Sequence, residues 1–140
     1  MGAIRDHKQR IKEHFEALEG AIAVGVVRKP VTIGLHTSSC AIELIELYLH
    51  KEGKIPIGKV VKHDWFKKPH PEQKVEPLIE RKLRVDFPSK KEIYDLMYKI
   101  EGNRSQLVYG RPTEEQIEAV LSAFNKLKDM LLEKIGDIDD

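Results

Sequence analysis

Residues 101 to 111, EGNRSQLVYGR, hold within eleven positions the side chains that phosphate chemistry uses: a carboxylate, two guanidinium groups, two amides and a phenol. Arginine presents a planar, permanently charged fork that matches two phosphate oxygens, so Arg104 is the candidate anion binder, with Asn103 and Arg111 as further donors. Glu101 precedes Arg104 by three residues, which makes them neighbours on one helical face, and pairing would fix the guanidinium. The same spacing also reads as a structural ion pair holding the turn into the last helix. Gly102 weakens a helix by about 1 kcal/mol relative to alanine, so a bend is expected there, presenting Arg104 between the last two long helices. Cleavage of a phosphodiester by its own 2′-hydroxyl needs a cation for the phosphorane charge and a base near neutrality. Arg104 supplies the first, and Tyr109 is the candidate for the second. A phenol with an ordinary pKa of about 10 is a poor base at neutral pH.

Other groups are weighed against this one. His63, in VVKHDWF, precedes Asp64 in a basic stretch and is the best replacement base, although nothing in the sequence brings it to Arg104. His36 and Cys40 stand four apart and suggest a thiolate pair, but the apolar helix around them makes Cys40 a core residue. His7 and His14 lie two turns apart with no carboxylate in register, so no metal site and no cofactor is expected. GKIPIGK lacks the Ser or Thr, the strand and the helix of a phosphate-binding loop. Between Lys62 and Lys91, nine Lys or Arg stand against five Asp or Glu, an excess that suits either phosphate or a solvated face.

The elements that must position these groups are helical. Ile4, Ile11, Phe15, Leu18, Ile22 and Val26 form one stripe over residues 3 to 28, and Pro30 breaks that helix or opens the next. VTIGLHTSSCAIELIELYLHKEG is apolar over most of its circumference, which places it at the centre of a bundle or at a subunit interface, and Gly53 with Pro56 stops it. Residues 54 to 88 hold five of the seven prolines and form an irregular connection, with short helices expected around 58 to 66 and 72 to 84. Ser89 with Glu92, and Thr113 with Gln116, read as capping boxes opening two further long helices. No strand alternation and no repeat is visible. The expected fold is all-α: a four-helix up-and-down bundle with additional short helices, one domain over residues 1 to 140.

Composition narrows the function classes. A formal charge of +1 gives no whole-molecule attraction to nucleic acid or membrane, so any such surface is local. One cysteine excludes an internal disulfide or a multi-cysteine zinc site. No apolar run reaches the roughly 20 residues of a membrane span, and a cytoplasmic location without membrane contact is expected. The 34% of charged residues and the scarcity of asparagine lean towards a thermophile composition.

The string from Glu101 through RSQLVYGRP to Pro112, followed by an amphipathic helix, resembles the HEPN domain (higher eukaryotes and prokaryotes nucleotide-binding). That family carries an arginine and, four to six residues later, a histidine. Arg104 matches the arginine, Leu107 and Val108 the apolar residues after it, and Tyr109 falls where the histidine should be. The tyrosine often found two residues further on is Arg111 here. TSSCAIELIELYLHKEGKIPIGKVVKHDWF is similar to the family's central helix and the loop after it. The resemblance implies a homodimeric bundle whose two motifs meet in a cleft. It further implies metal-independent ribonuclease activity in many members, with a minimal nucleotidyltransferase as antitoxin partner in many prokaryotic ones, and inactive binding or scaffolding versions in others. The expected function is a HEPN-like homodimer that binds a nucleotide or RNA phosphate through Glu101, Asn103, Arg104, Arg111 and His63, and is catalytically degenerate. Two alternatives stand beside it: a divergent endoribonuclease of a toxin–antitoxin pair, using Arg104 with Tyr109 or another base, and an interaction module that offers the apolar surface of residues 33 to 49 to a second copy or an antitoxin.

Overall fold

Five α-helices make up the computed structural model, which describes residues 2–138: α1 (Gly2–Val24), α2 (Pro30–Lys51), the one-turn α3 (Leu78–Lys82), α4 (Lys90–Tyr109) and α5 (Glu114–Ile135). Two 3-10 turns, Val26–Arg28 and His63–Trp65, complete the regular structure, and no strand occurs among the described residues. Pro30 opens α2 at its first turn, where a missing amide hydrogen leaves nothing unpaired. The first helix stops earlier than its apolar stripe, at Val24. Gly25 has φ of 124°, which turns the chain out of the helix and into the 3-10 turn.

Side-chain pairings give the direction of each helix. His7 meets Glu43 while His14 meets His36, so α1 and α2 run antiparallel. Tyr48 packs its ring on Phe87, and Ser38 bonds Glu101, so α4 runs antiparallel to α2. Lys51 at the end of α2 donates to the Ile135 carbonyl at the end of α5, so those two are parallel. The result is the up-and-down bundle, with α2 packed against α1, α4 and α5.

That central position uses up the apolar surface of residues 33 to 49. Ile33, Cys40, Leu44, Ile45, Leu47 and Leu49 are fully buried inside their own chain, covered by the three neighbouring helices. Most of the surface expected to serve a partner is therefore taken up by the fold, and within it Leu35 stays exposed and Ile42 partly so. Exposed apolar side chains cluster at the α1–α2 turn and the start of α2, at Ile22, Val24, Val27, Val31 and Leu35.

The proline-rich connection is shorter in helix than expected. The region around 58 to 66 yields only the turn His63–Trp65, and the region 72 to 84 only α3, which Pro77 immediately precedes and cuts off from the residues before it. Buried Ile55, Val61, Phe66, Ile79, Leu83 and Phe87 hold this segment down. Edge-on aromatic contacts, Phe66 to Tyr94 at 5.3 Å and Phe87 to Tyr94 at 5.8 Å between ring centroids, attach it to α4.

Thr113 and Gln116 form the full reciprocal capping box. Ser89 does not: its backbone is left-handed, at φ 63° and ψ 21°, and its side chain makes no capping bond, so α4 begins on the Ser89 carbonyl instead. The bend expected at Gly102 is also absent, since α4 continues unbroken to Tyr109. Nothing lies within 4 Å of where a Gly102 side chain would start. At Gly34 the reverse holds, because a Cβ would sit 2.8 Å from the Leu107 Cβ and 3.0 Å from the Val108 Cγ2. This glycine lets α2 and α4 approach.

Two substitutions separate these roles. Gly102→Ala, in an exposed helical interior, raises unfolding free energy by about 1 kcal/mol. Gly34→Ala gains the same propensity but overpacks against a neighbouring Cβ, with a net loss of about 1 kcal/mol or more. Urea denaturation of both variants measures the signs, and a destabilised Gly102→Ala would mean that the helix bends there after all.

Candidate functional site

Glu101 faces inward from the middle of α4, with its side chain only 5% exposed. A buried carboxylate must find donors, and it finds two from other elements: the Ser38 hydroxyl of α2 and the His63 Nδ1 of the 3-10 turn, the latter at 2.8 Å. Among the described residues Glu101 makes no ion pair with Arg104, so the expected intrahelical pair is corrected. The reason is geometric. Ser38 and His63 lie on the bundle side of α4 and can bond a desolvated carboxylate there.

The carboxylate accepts, so His63 donates from Nδ1, which leaves Nε2 with the free lone pair in the neutral ring. His63 keeps 44% of its side chain exposed. A histidine oriented by a carboxylate, with its other nitrogen open to solvent, has the form of a general base. Arg104 follows Glu101 by one turn. It is half-buried, and its Nε is buried without a hydrogen-bond partner among the described residues. Such an orphan donor forfeits about 1–3 kcal/mol unless an acceptor arrives.

The remaining expected residues are placed apart from this group. Tyr109 is the last residue of α4 and 79% exposed. Five residues along a helix is a rotation of about 140° from Arg104, so the two do not share a face. Asn103 turns back on its own helix, its side-chain amide donating to the Lys99 carbonyl at 2.8 Å. Arg111 is exposed in the connection to α5, where its carbonyl accepts from Gln106.

Two grooves flank the Glu101–His63 contact. One, of about 740 Å³, is lined by Lys67, Lys68, Tyr98, Lys99, Glu101 and Ser105. The other, of about 520 Å³, is lined by Glu43, Glu46, Val61, Lys62, His63 and Asp64. The basic excess of residues 62 to 91 divides between structure and surface. Arg84 pairs with Glu76, Lys90 with Glu80 and Lys91 with Asp95, whereas Lys67 and Lys68 line the first groove, with the Lys68 ammonium 5.5 Å from the Tyr98 ring centroid.

Cys40 is wholly buried, and desolvation pushes its thiol far above the ordinary range, which leaves it a core residue. His36 meets His14 instead, with 2.9 Å between their Nδ1 atoms. His63 was visible in the sequence as a histidine, but its partner lies 38 residues away, and only the tertiary path of the connection joins them.

Comparison with family models, with curated protein sequences and with solved structures finds no match to this chain.

Two measurements check this geometry. Ser38→Ala removes one of two donors to a buried carboxylate and lowers stability by about 1–2 kcal/mol, with faster amide exchange in residues 61–66; unchanged exchange there would mean that the carboxylate does not anchor the turn. Burial first, and His36 second, lower the pKa of His14 from its ordinary 6.5, against smaller opposing effects of Glu43 and Glu13, with Arg10 adding to the lowering. The unfolded chain then takes up this proton first, so His14 contributes a loss of stability that begins near pH 6.5 and grows as pH falls through the folded value. His14→Gln shows a shallower loss across that window, and an identical pH profile would refute the shift.

Proposed function

We propose that the chain is a HEPN-like bundle that binds RNA or nucleotide phosphate on the face carrying Arg104. One observation carries this. The carboxylate that the sequence offers to Arg104 is committed to Ser38 and His63, which leaves a half-buried guanidinium whose Nε has no acceptor. The side chain is only half-buried, and by turning outward it gives that nitrogen a phosphate oxygen as acceptor. Lys67, Lys68 and Lys99 line a separate groove further round α4, where Tyr98 adds an aromatic face and a second basic surface.

A homodimer is part of this reading. Val27, Val31 and Leu35 succeed one another at intervals of four, and all are exposed. Gly34, between Val31 and Leu35, stands beside Leu107 and the Arg104 carbonyl of α4. Pairing two chains through that strip would bring two Arg104 side chains towards each other.

A second reading is favoured by the His63–Glu101 contact: a metal-independent endoribonuclease with His63 as the base that position 109 does not provide. The 2′-hydroxyl loses its proton to His63 Nε2 as its oxygen forms the new bond to phosphorus. Arg104 stabilises the charge on the phosphorane, and the P–O5′ bond breaks as the 5′-oxygen takes a proton from solvent water, giving a 2′,3′-cyclic phosphate and a 5′-hydroxyl.

Anisotropy titration of a labelled single-stranded RNA at several salt concentrations tests the binding claim. Arg104→Ala weakens binding by about tenfold, or 1.4 kcal/mol, and reduces the slope of log K against log salt by about 0.7. Unchanged affinity would remove Arg104 from any phosphate site. Analysis of the same RNA for cyclic phosphate ends decides between the readings. If the wild type cleaves, His63→Ala slows it by about 10²- to 10⁴-fold while Tyr109→Phe does not; absence of cleavage leaves the binder.

A further inference from the structure

His7, Glu46 and His50 converge at the α1–α2 seam. One ligand-type atom from each lies within 4.8 Å of the other two. Glu46 and His50 are four apart on α2, so they share a face, and His7 comes across from the antiparallel α1. His7 is 4% and Glu46 7% exposed.

The hydrogen bonds around the three have the form of a supporting shell. The His7 Nδ1 donates to Glu43 at 2.5 Å, and Glu43 is held in turn by the Arg10 Nε at 2.5 Å. A carboxylate on one ring nitrogen fixes the tautomer and directs the other nitrogen, the usual support of a metal-ligating histidine. That other nitrogen, Nε2, stands 3.6 Å from Glu46 Oε2. The second oxygen of Glu46, Oε1, accepts from the Val61 amide at 2.7 Å. In the neutral His7 ring, then, a nitrogen lone pair faces a carboxylate oxygen with no donor between them. The Nδ1 of His50, in the same cluster, is buried without a hydrogen-bond partner among the described residues.

We propose that His7, Glu46 and His50 bind one divalent transition-metal ion of the zinc class, with Glu43 as the residue that positions His7. Metal–ligand bonds of about 2.0–2.1 Å in tetrahedral geometry set the ligand atoms roughly 3.3–3.4 Å apart. The pair at 3.6 Å is already within a few tenths of that spacing, and His50, next to the end of α2, closes the set by side-chain rotation. Two imidazoles and one carboxylate leave a fourth position, and the groove that Glu46 lines together with Val61 and His63 offers a route to it. The bound ion would tie α1 to α2 and, through Glu46, fix the Val61 backbone. This inference stands apart from the phosphate site.

The rival occupant is a proton: His7 as an imidazolium bridging Glu43 and Glu46. Full-length, tag-free protein stripped with chelator and titrated with Zn²⁺ by calorimetry, and with Co²⁺ by visible absorption, separates the two. The expected result is one ion per chain, the ligand-field bands of tetrahedral Co²⁺, and a raised Tm. His50→Ala, altering a partly exposed residue beside the helix end, weakens binding by about 100-fold or more, and Glu43→Gln by about 10- to 100-fold, while His70→Ala in the exposed connection leaves it unchanged. No saturable binding by folded wild type, or binding that survives both His50→Ala and Glu43→Gln undiminished, overturns the proposal and leaves the imidazolium.

Discussion

Helix α2 is packed against three neighbours, and the buried polar groups along its middle have to be answered by another element or by its own backbone. Thr37 returns its hydroxyl to the Ile33 carbonyl. Ser38 donates to Glu101 of α4, Glu43 accepts from His7 and Arg10 of α1, and Glu46 accepts from the Val61 amide of the connection. The apolar residues between them form a core that would tolerate some sliding. The polar ones fix the register, because a shift of one turn would strand buried carboxylates at a cost of several kcal/mol each. Both candidate sites grow out of this constraint: each is a place where a partner for α2 brings further functional groups with it.

The irregular connection gains its order in the same way. Residues 54 to 66 have little local reason to adopt one conformation, yet Val61 is tied to Glu46 and His63 to Glu101, two anchors on two helices. Phe66 adds an apolar anchor against Tyr94 and Tyr98. Desolvation raises the pKa of Glu46, with the Val61 amide acting against it, whereas His7 and Arg10 outweigh the burial of Glu43 and lower its value. Two carboxylates one turn apart on the same helix are thus tuned in opposite directions by what faces them.

Much of the bundle was legible in the residues. The apolar spacing of α1, α2 and α5, Pro30 as a helix opener and the Thr113–Gln116 box are local signals, and local geometry honours them. The failures are equally local. Ser89 and Glu92 have the types of a capping box, but the connection delivers Ser89 in a left-handed conformation that its hydroxyl cannot use. Gly102 reads as a break, yet the helix continues through it to Leu107, which packs beside Gly34. At the candidate site, Glu101, Arg104 and His63 were each legible as chemically able, and their pairing was not. Glu101 and Arg104 have the spacing of an ion pair, and what overrides it is a hydroxyl 63 residues and a ring 38 residues away. Long-range desolvation decides such contests, and sequence spacing does not record it.

The chain has a single tryptophan, Trp65, and it closes the turn that His63 opens. It is half-buried, with the Lys59 ammonium 5.8 Å from its ring centroid. An indole in that setting emits according to the polarity and charge around it, so the protein carries an intrinsic optical reporter two residues from the histidine. Loosening of the turn, or displacement of Lys59 by an incoming anion, would register as a change of emission colour or intensity in unlabelled protein.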